Sequence, residues 1–243
     1  MKRIALIGGT GALDVAEQAS APGDVPATPY GKASSPLLRW QSGDIEFCFM
    51  ARHGLDGAIP PHRVNYRANL WALREQAPDG IIGINAVGGI SAQAGPARLV
   101  FPDQIIDYTW GREPTFNDGD LWPLRHVEFT EPFASRLRAL LIERAAAEGL
   151  DYVASGTYGV TQGPRLETRA EIDRMERDGC DIVGMTGMPE AALAGELELE
   201  YAIIAVVVNW AAGRAPAGRG IHDEIGQFLA AGMGQVGRLL AAL

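Results

Sequence analysis

Short apolar runs rich in Ile and Val punctuate the chain at Ile4–Ile7, Ile45–Met50, Ile81–Ile84, Ile182–Val183 and Ala202–Val208. They have strand length and little polar alternation, the pattern of strands covered on both faces. Longer segments with helical spacing lie between them. Asn65–Glu75 carries good helix formers around Leu70, Trp71 and Leu73, and Pro132–Glu148 sets Phe133, Leu137, Leu140 and Leu141 on one face. Thr168–Arg177 and Pro189–Leu197 also read as helices, and the closing stretch His222–Leu243 repeats Ile225, Phe228, Leu229, Val236, Leu239 and Leu240. Strands alternating with helices predict an α/β layered fold with a largely parallel sheet. No repeat, low-complexity tract or linker-like shift divides the 243 residues, so one domain over residues 1–243 is expected.

In such sheets the loops at the carboxyl ends of strands carry ligand groups. The first run ends in Gly8-Gly9-Thr10-Gly11, where bare backbone and a hydroxyl suit an anion, although a glycine cluster alone reads more readily as an ordinary tight turn. The second ends in Ala51-Arg52-His53-Gly54, a planar fork of donors followed by an imidazole. A further basic pair, His62-Arg63, reads equally well as a loop entering a helix. Asn85-Ala86-Val87-Gly88-Gly89 follows the third run. Thr161-Gln162-Gly163-Pro164-Arg165-Leu166-Glu167-Thr168 is a turn leading into a helix, with Thr168 as N-cap and Glu171 three residues on. Gly184-Met185-Thr186-Gly187-Met188-Pro189-Glu190 puts a hydroxyl beside a Pro-started helix, and Asn209 follows three valines. Taken singly, Met185 reads as core packing, Thr186 as a cap and Asn209 as a turn former. Together they supply cations, hydroxyls, an amide and a carboxylate to one sheet edge. That inventory suits a phosphate and a polar heterocycle.

Composition narrows the partners. Lys+Arg 21 against Asp+Glu 30 gives −9, which disfavours nucleic acid and anionic membrane over most of the surface. Glycine is enriched, 30 residues, clustered after the apolar runs. Cys48 and Cys180 are the two cysteines and fit no metal-ligand or disulfide spacing, so no metal site is expected. The apolar run Ile4–Ile7 is too short for a signal peptide, and Ala202–Val208 too short to span a bilayer, so a soluble cytoplasmic protein is expected.

The motifs Gly8-Gly9-Thr10-Gly11, Ala51-Arg52-His53-Gly54, Val64-Asn65-Tyr66-Arg67-Ala68-Asn69, Gly163-Pro164-Arg165 and Gly184-Met185-Thr186-Gly187-Met188-Pro189-Glu190 closely resemble the methylthioadenosine/purine nucleoside phosphorylase family, in order and over nearly the whole chain. Within it the sequence is most similar to the bacterial S-methyl-5'-thioinosine phosphorylases. The resemblance implies a three-layer α/β/α fold with a mixed, largely parallel central sheet, a homotrimer, and inorganic phosphate as co-substrate with no other cofactor. It implies phosphate held by residues matching Thr10, Arg52, His53, Asn85, Ala86 and Thr186. Met185 would lie against the ribose, with Leu166 and Ala211 also at the substrate. Glu167 and Asn209 would read the base and serve as the catalytic pair. His126 resembles a residue that reaches a neighbouring subunit's site.

Adenine-specific members carry Ser and Asp where this chain has Glu167 and Asn209. An amide can give its NH₂ to a 6-oxo group, and Glu167 can accept the adjacent N1–H. Unpaired polar groups in a dry pocket cost about 1–3 kcal/mol each, so the pair points to a 6-oxopurine. At the 5' end two residues point different ways. His222 matches a residue that meets the 5'-hydroxyl in inosine/guanosine phosphorylases, whereas Ile225 is apolar as in methylthio enzymes. The expected reaction is phosphorolysis of S-methyl-5'-thioinosine. An inosine/guanosine phosphorylase is the alternative, and a methylthioadenosine phosphorylase, a non-catalytic purine binder and a phosphate-independent hydrolase are weaker ones.

Overall fold

The computed structural model describes residues 2–9, 11–119, 124–215 and 225–243. Twelve strands are found among them. They are β1 (Arg3–Gly8), β2 (Ala27–Thr28), β3 (Gly31–Lys32), β4 (Leu37–Ser42), β5 (Ile45–Ala51), β6 (Gly80–Gly89), β7 (Leu99–Val100), β8 (Gln104–Asp107), β9 (Tyr152–Val153), β10 (Thr157–Val160), β11 (Ile182–Gly184) and β12 (Tyr201–Trp210). The helices are α1 (Tyr66–Arg74), α2 (Ser135–Ala147), α3 (Arg169–Arg177), α4 (Glu190–Glu196) and α5 (Ile225–Ala241).

All strands except the β2–β3 hairpin join one ten-stranded sheet with the path β4-β5-β1-β6-β11-β10-β8, and β12 pairs with β6 and β7. The pairs β1–β5, β1–β6, β6–β12, β7–β9, β8–β10 and β10–β11 are parallel, and β4–β5, β6–β11 and β7–β12 are antiparallel. The sheet is therefore mixed and largely parallel.

The unbroken apolar runs follow from burial on both faces. In β12, Tyr201, Ile203, Ala205 and Val207 face one core and Ala202, Ile204, Val206 and Val208 the other. Leu70 and Leu73 of α1 and Leu193 and Ala194 of α4 complete the first core. Leu137, Leu141 and Ala145 of α2 and Met233, Val236 and Leu239 of α5 complete the second. Helices thus cover both sides, giving three layers. Leu140 is only half-buried, and Ala145 takes the place beside Leu137 and Leu141 that its spacing suggested.

Two strands run further than their apolar runs predict. Beyond Ile84, β6 continues through Asn85 to Gly89, because its second half pairs with β11 at Gly88 and Gly89 and with β12 throughout. In β12 the register jumps between Val207, opposite Val87, and Asn209, opposite Gly88, so that Val208 is an extra residue. Such a bulge re-aims the side chains next to it.

Candidate active site

The carboxyl ends of β1, β5, β11 and β12, the second half of β6 and the loop before α3 surround a cavity of about 740 Å³. Part of its lining carries groups whose chemistry suits an anion. Arg52 and His53 follow β5 directly, and Arg52 is 0% exposed. Its Nε and Nη2 grip the Glu190 carboxylate, Nη2 at 3.0 Å from Oε2. Nη2 also donates to Ile7 O and to Asn85 Oδ1, each at 3.1 Å. Burial alone would lower the Arg52 pKa, but the Glu190 carboxylate outweighs it and holds the guanidinium above its ordinary range. Tyr201 donates its hydroxyl to Glu190 Oε2 at 2.9 Å, so the buried carboxylate is fully partnered.

Among the described residues, Nη1 of Arg52 keeps only a long contact, 3.4 Å to Ile84 O. A Cβ placed on Gly9 would sit 3.2 Å from that Nη1 and 3.5 Å from His53 Nε2. Both nitrogens therefore face the space that glycine leaves at position 9. His53 Nδ1 lies 2.7 Å from Ile59 O. A carbonyl only accepts, so Nδ1 carries the hydrogen and Nε2 of the neutral ring presents a lone pair. Burial and then Arg52 lower the His53 pKa, with the Ile59 carbonyl opposing them. A neutral ring of this tautomer can accept a hydrogen bond from the O–H of a hydrogen phosphate.

Thr186, nearly buried, accepts from Asn85 Nδ2 at 3.2 Å, which leaves its own O–H to donate. Asn85 lies inside β6, its amide bridges Arg52 and Thr186, and it does not line the cavity, whereas Ala86 does. Thr10 lies outside the described residues.

The lining also includes Glu167, Met185, Asn209, Leu166 and Ala211. Gly163 has φ +63°, and a Cβ there would collide with Met185 Sδ, so glycine lets the loop close over Met185. Val208 and Asn209 both line the cavity although they are neighbours in a strand, where side chains normally alternate. The bulge accounts for this. Asn209 Nδ2 donates to Trp210 O at 2.7 Å, which fixes the NH₂ orientation and leaves a second N–H on the same nitrogen. Thr161 donates to Glu167 Oε1 at 2.6 Å.

Ile225, at the start of α5, and Leu229 one turn on make an apolar wall. His222 lies outside the described residues. His126 is exposed and does not line the cavity of its own chain. Sequence reasoning missed the roles of Glu190, Tyr201 and Thr161. Glu190 enters the sequence reading only as the last residue of its motif and Tyr201 not at all, because Glu190's main partner, Arg52, lies 138 residues away and no local spacing marks it. Among the described residues, no group of three or more His, Cys, Asp or Glu is placed to hold a metal ion.

The model of the family described as "Phosphorylase superfamily" matches residues 3–243. The chain belongs to that superfamily. Among its superfamily relatives, a probable S-methyl-5'-thioinosine phosphorylase of Pseudomonas syringae pv. tomato is 50% identical over 238 residues, covering 98% of this chain and 96% of the relative. A 6-oxopurine nucleoside phosphorylase of Pyrococcus furiosus is 44% identical over 235 residues, 94% of this chain and 87% of the relative. Among solved superfamily structures, methylthioadenosine phosphorylase from Schistosoma mansoni in complex with adenine superposes with a TM-score of 0.92 at 31% identity, covering 100% of this chain and 90% of that one.

Proposed function

We propose that the protein cleaves S-methyl-5'-thioinosine by phosphorolysis, giving hypoxanthine and 5-methylthioribose-1-phosphate. The observation that carries this is the set of groups brought to one cavity. Arg52 Nη1 and His53 Nε2 face the Gly9 backbone, and an acceptor, Glu167, and a donor, Asn209 Nδ2–H, line the same cavity. A 6-oxopurine presents N1–H beside O6, the complement of that pair. The family and the S-methyl-5'-thioinosine phosphorylase relative support the same reading.

Phosphate is held by Arg52, His53, the Thr186 hydroxyl and the Ala86 backbone, with Thr10 from the glycine loop. Its oxygen forms a bond to C1' as the C1'–N9 bond breaks and the electron pair passes to the purine. The purine leaves after taking a proton at N7. Asn209 and Glu167 stabilise the departing base, and one well-aimed donor of this kind accounts for about 3–4 kcal/mol of barrier. Arg52, already fixed by Glu190, holds the nucleophile in line without reorganising. Met185 packs against the ribose, with Leu166 and Ala211 at the substrate, and Ile225 and Leu229 favour a methylthio group over a hydroxyl. The enzyme is a pentosyltransferase of purine salvage with phosphate as co-substrate and no other cofactor. We place it in the cytoplasm as a single-domain homotrimer in which His126 reaches a neighbouring site.

A general inosine/guanosine phosphorylase is the second reading, favoured by the 6-oxopurine nucleoside phosphorylase relative and by His222. The test is phosphate-dependent base release from methylthioinosine, inosine, guanosine and methylthioadenosine in parallel. Fast hypoxanthine release from methylthioinosine with weak inosine turnover is expected. Equal or faster inosine turnover would assign a 5'-hydroxyl pocket, and release without phosphate would make the protein a hydrolase.

A further inference from the structure

Glu167 stands on the wall between the main cavity and a smaller one of about 350 Å³, whose lining includes Thr161, Gln162 and Trp110. From that rear side Thr161 Oγ1 donates to Glu167 Oε1 at 2.6 Å. The other acceptor within reach, Gly184 O, is 3.4 Å away. A hydroxyl has one proton, and the short bond to a carboxylate is the stronger of the two.

Thr161 is itself held on both sides. It directly follows β10, its N–H donates to Gly184 O at 2.8 Å, and its carbonyl accepts from Arg112 Nη2 at 3.2 Å. Arg112 also grips Gln162, donating to the carbonyl at 3.0 Å and to Oε1 at 3.1 Å. Glu167, by contrast, sits on the connection between β10 and α3, next to the exposed Leu166. A fixed hydroxyl at the end of a strand therefore anchors a carboxylate on a loop.

We propose that Thr161 is a positioning residue that sets base selectivity. Its hydroxyl engages Oε1 from behind and leaves Oε2 of Glu167 to accept the base N–H. This rests on Glu167 as reader of the 6-oxopurine. Glutamate has three side-chain torsions, so without the anchor the carboxylate samples orientations that do not meet the base.

The experiment measures kcat/KM for methylthioinosine and methylthioadenosine, and KM for phosphate, in Thr161→Val, Thr161→Ser and Glu167→Gln. Valine keeps the shape and removes the hydroxyl. Hydrogen bonds to charged groups correspond to roughly a 10- to 100-fold effect, so Thr161→Val should lower methylthioinosine kcat/KM by that order. Phosphate KM should stay within about twofold, because that interaction is untouched. The ratio of methylthioinosine to methylthioadenosine activity should fall, and Thr161→Ser should restore most of it. Thr161→Ala, which also lacks the hydroxyl, must reproduce the ratio change and serves if the valine variant folds poorly. An unchanged ratio in Thr161→Val or Thr161→Ala overturns the proposal. So does a serine variant that fails to rescue, or a phosphate KM that rises in step. If Glu167→Gln collapses the ratio while Thr161→Val does not, Thr161 alone falls. If Glu167→Gln leaves the ratio intact, the base-reading role of Glu167 falls and takes this inference with it.

Discussion

Asn209 shows how much chemistry one side chain carries and how little of it shows in the one-letter code. The sequence marks an amide beyond an apolar run, but not that its Nδ2 is tied to Trp210 O at 2.7 Å. That bond decides what a substitution does. An aspartate at this position would set a carboxylate oxygen against a carbonyl oxygen, so it must carry a proton or turn away. Asn209→Asp is expected to lower methylthioinosine kcat/KM by about 100- to 1,000-fold, the loss of one aimed donor, while methylthioadenosine loses less. Parallel kinetics on the two substrates measure this. Unchanged base selectivity would remove Asn209 from the recognition of the purine. Arg52 is the opposite case. Its place at the end of an apolar run was legible, but its complete burial and its partner 138 residues away were not.

Elements with strong local signals were read well. The five apolar runs are strands β1, β5, β6, β11 and β12, and the five helical segments correspond to α1 to α5. The capping box of α3 was legible because both halves lie within four residues. Thr168 accepts from the Glu171 N–H, and Glu171 returns a bond to the Thr168 N–H at 2.7 Å. Thr168→Ala should cost about 1 kcal/mol, read as a shift in the urea midpoint with an unchanged slope. Arg165 and the Thr168 N–H hold the Glu171 pKa down to about 2, below its ordinary 4.5. A depressed carboxylate stabilises the fold above its unfolded pKa, so this contribution is complete above about pH 4.5 and fades as pH falls toward 2. The strands that sequence reasoning missed are short or on an edge. β7 and β9 have two residues each, and β4 alternates half-buried and exposed positions. The second half of β6 was hidden by glycines, which have low strand propensity and are held extended here only by their partners β11 and β12.

At the scale of the molecule, the Arg52–Glu190–Tyr201 cluster joins the end of β5, the start of α4 and the first residue of β12 beneath the anion site. Removing one partner of a buried ion pair strands the other charge. Glu190→Gln should therefore destabilise the protein by roughly 3–5 kcal/mol in urea unfolding, whereas disrupting the exposed Arg165–Glu171 pair should cost about 0–1. A loss near 1 kcal/mol for Glu190→Gln would mean that Arg52 finds another partner or water. The same cluster has a consequence for how phosphate arrives. Glu190 already balances the Arg52 cation and the chain as a whole carries −9, so net charge gives phosphate no long-range attraction. Capture depends on fixed N–H and O–H groups acting within contact distance. Dissolved electrolyte, which slows enzymes that steer charged substrates, would then screen only a repulsion, so the phosphate KM is expected to hold or fall as ionic strength rises.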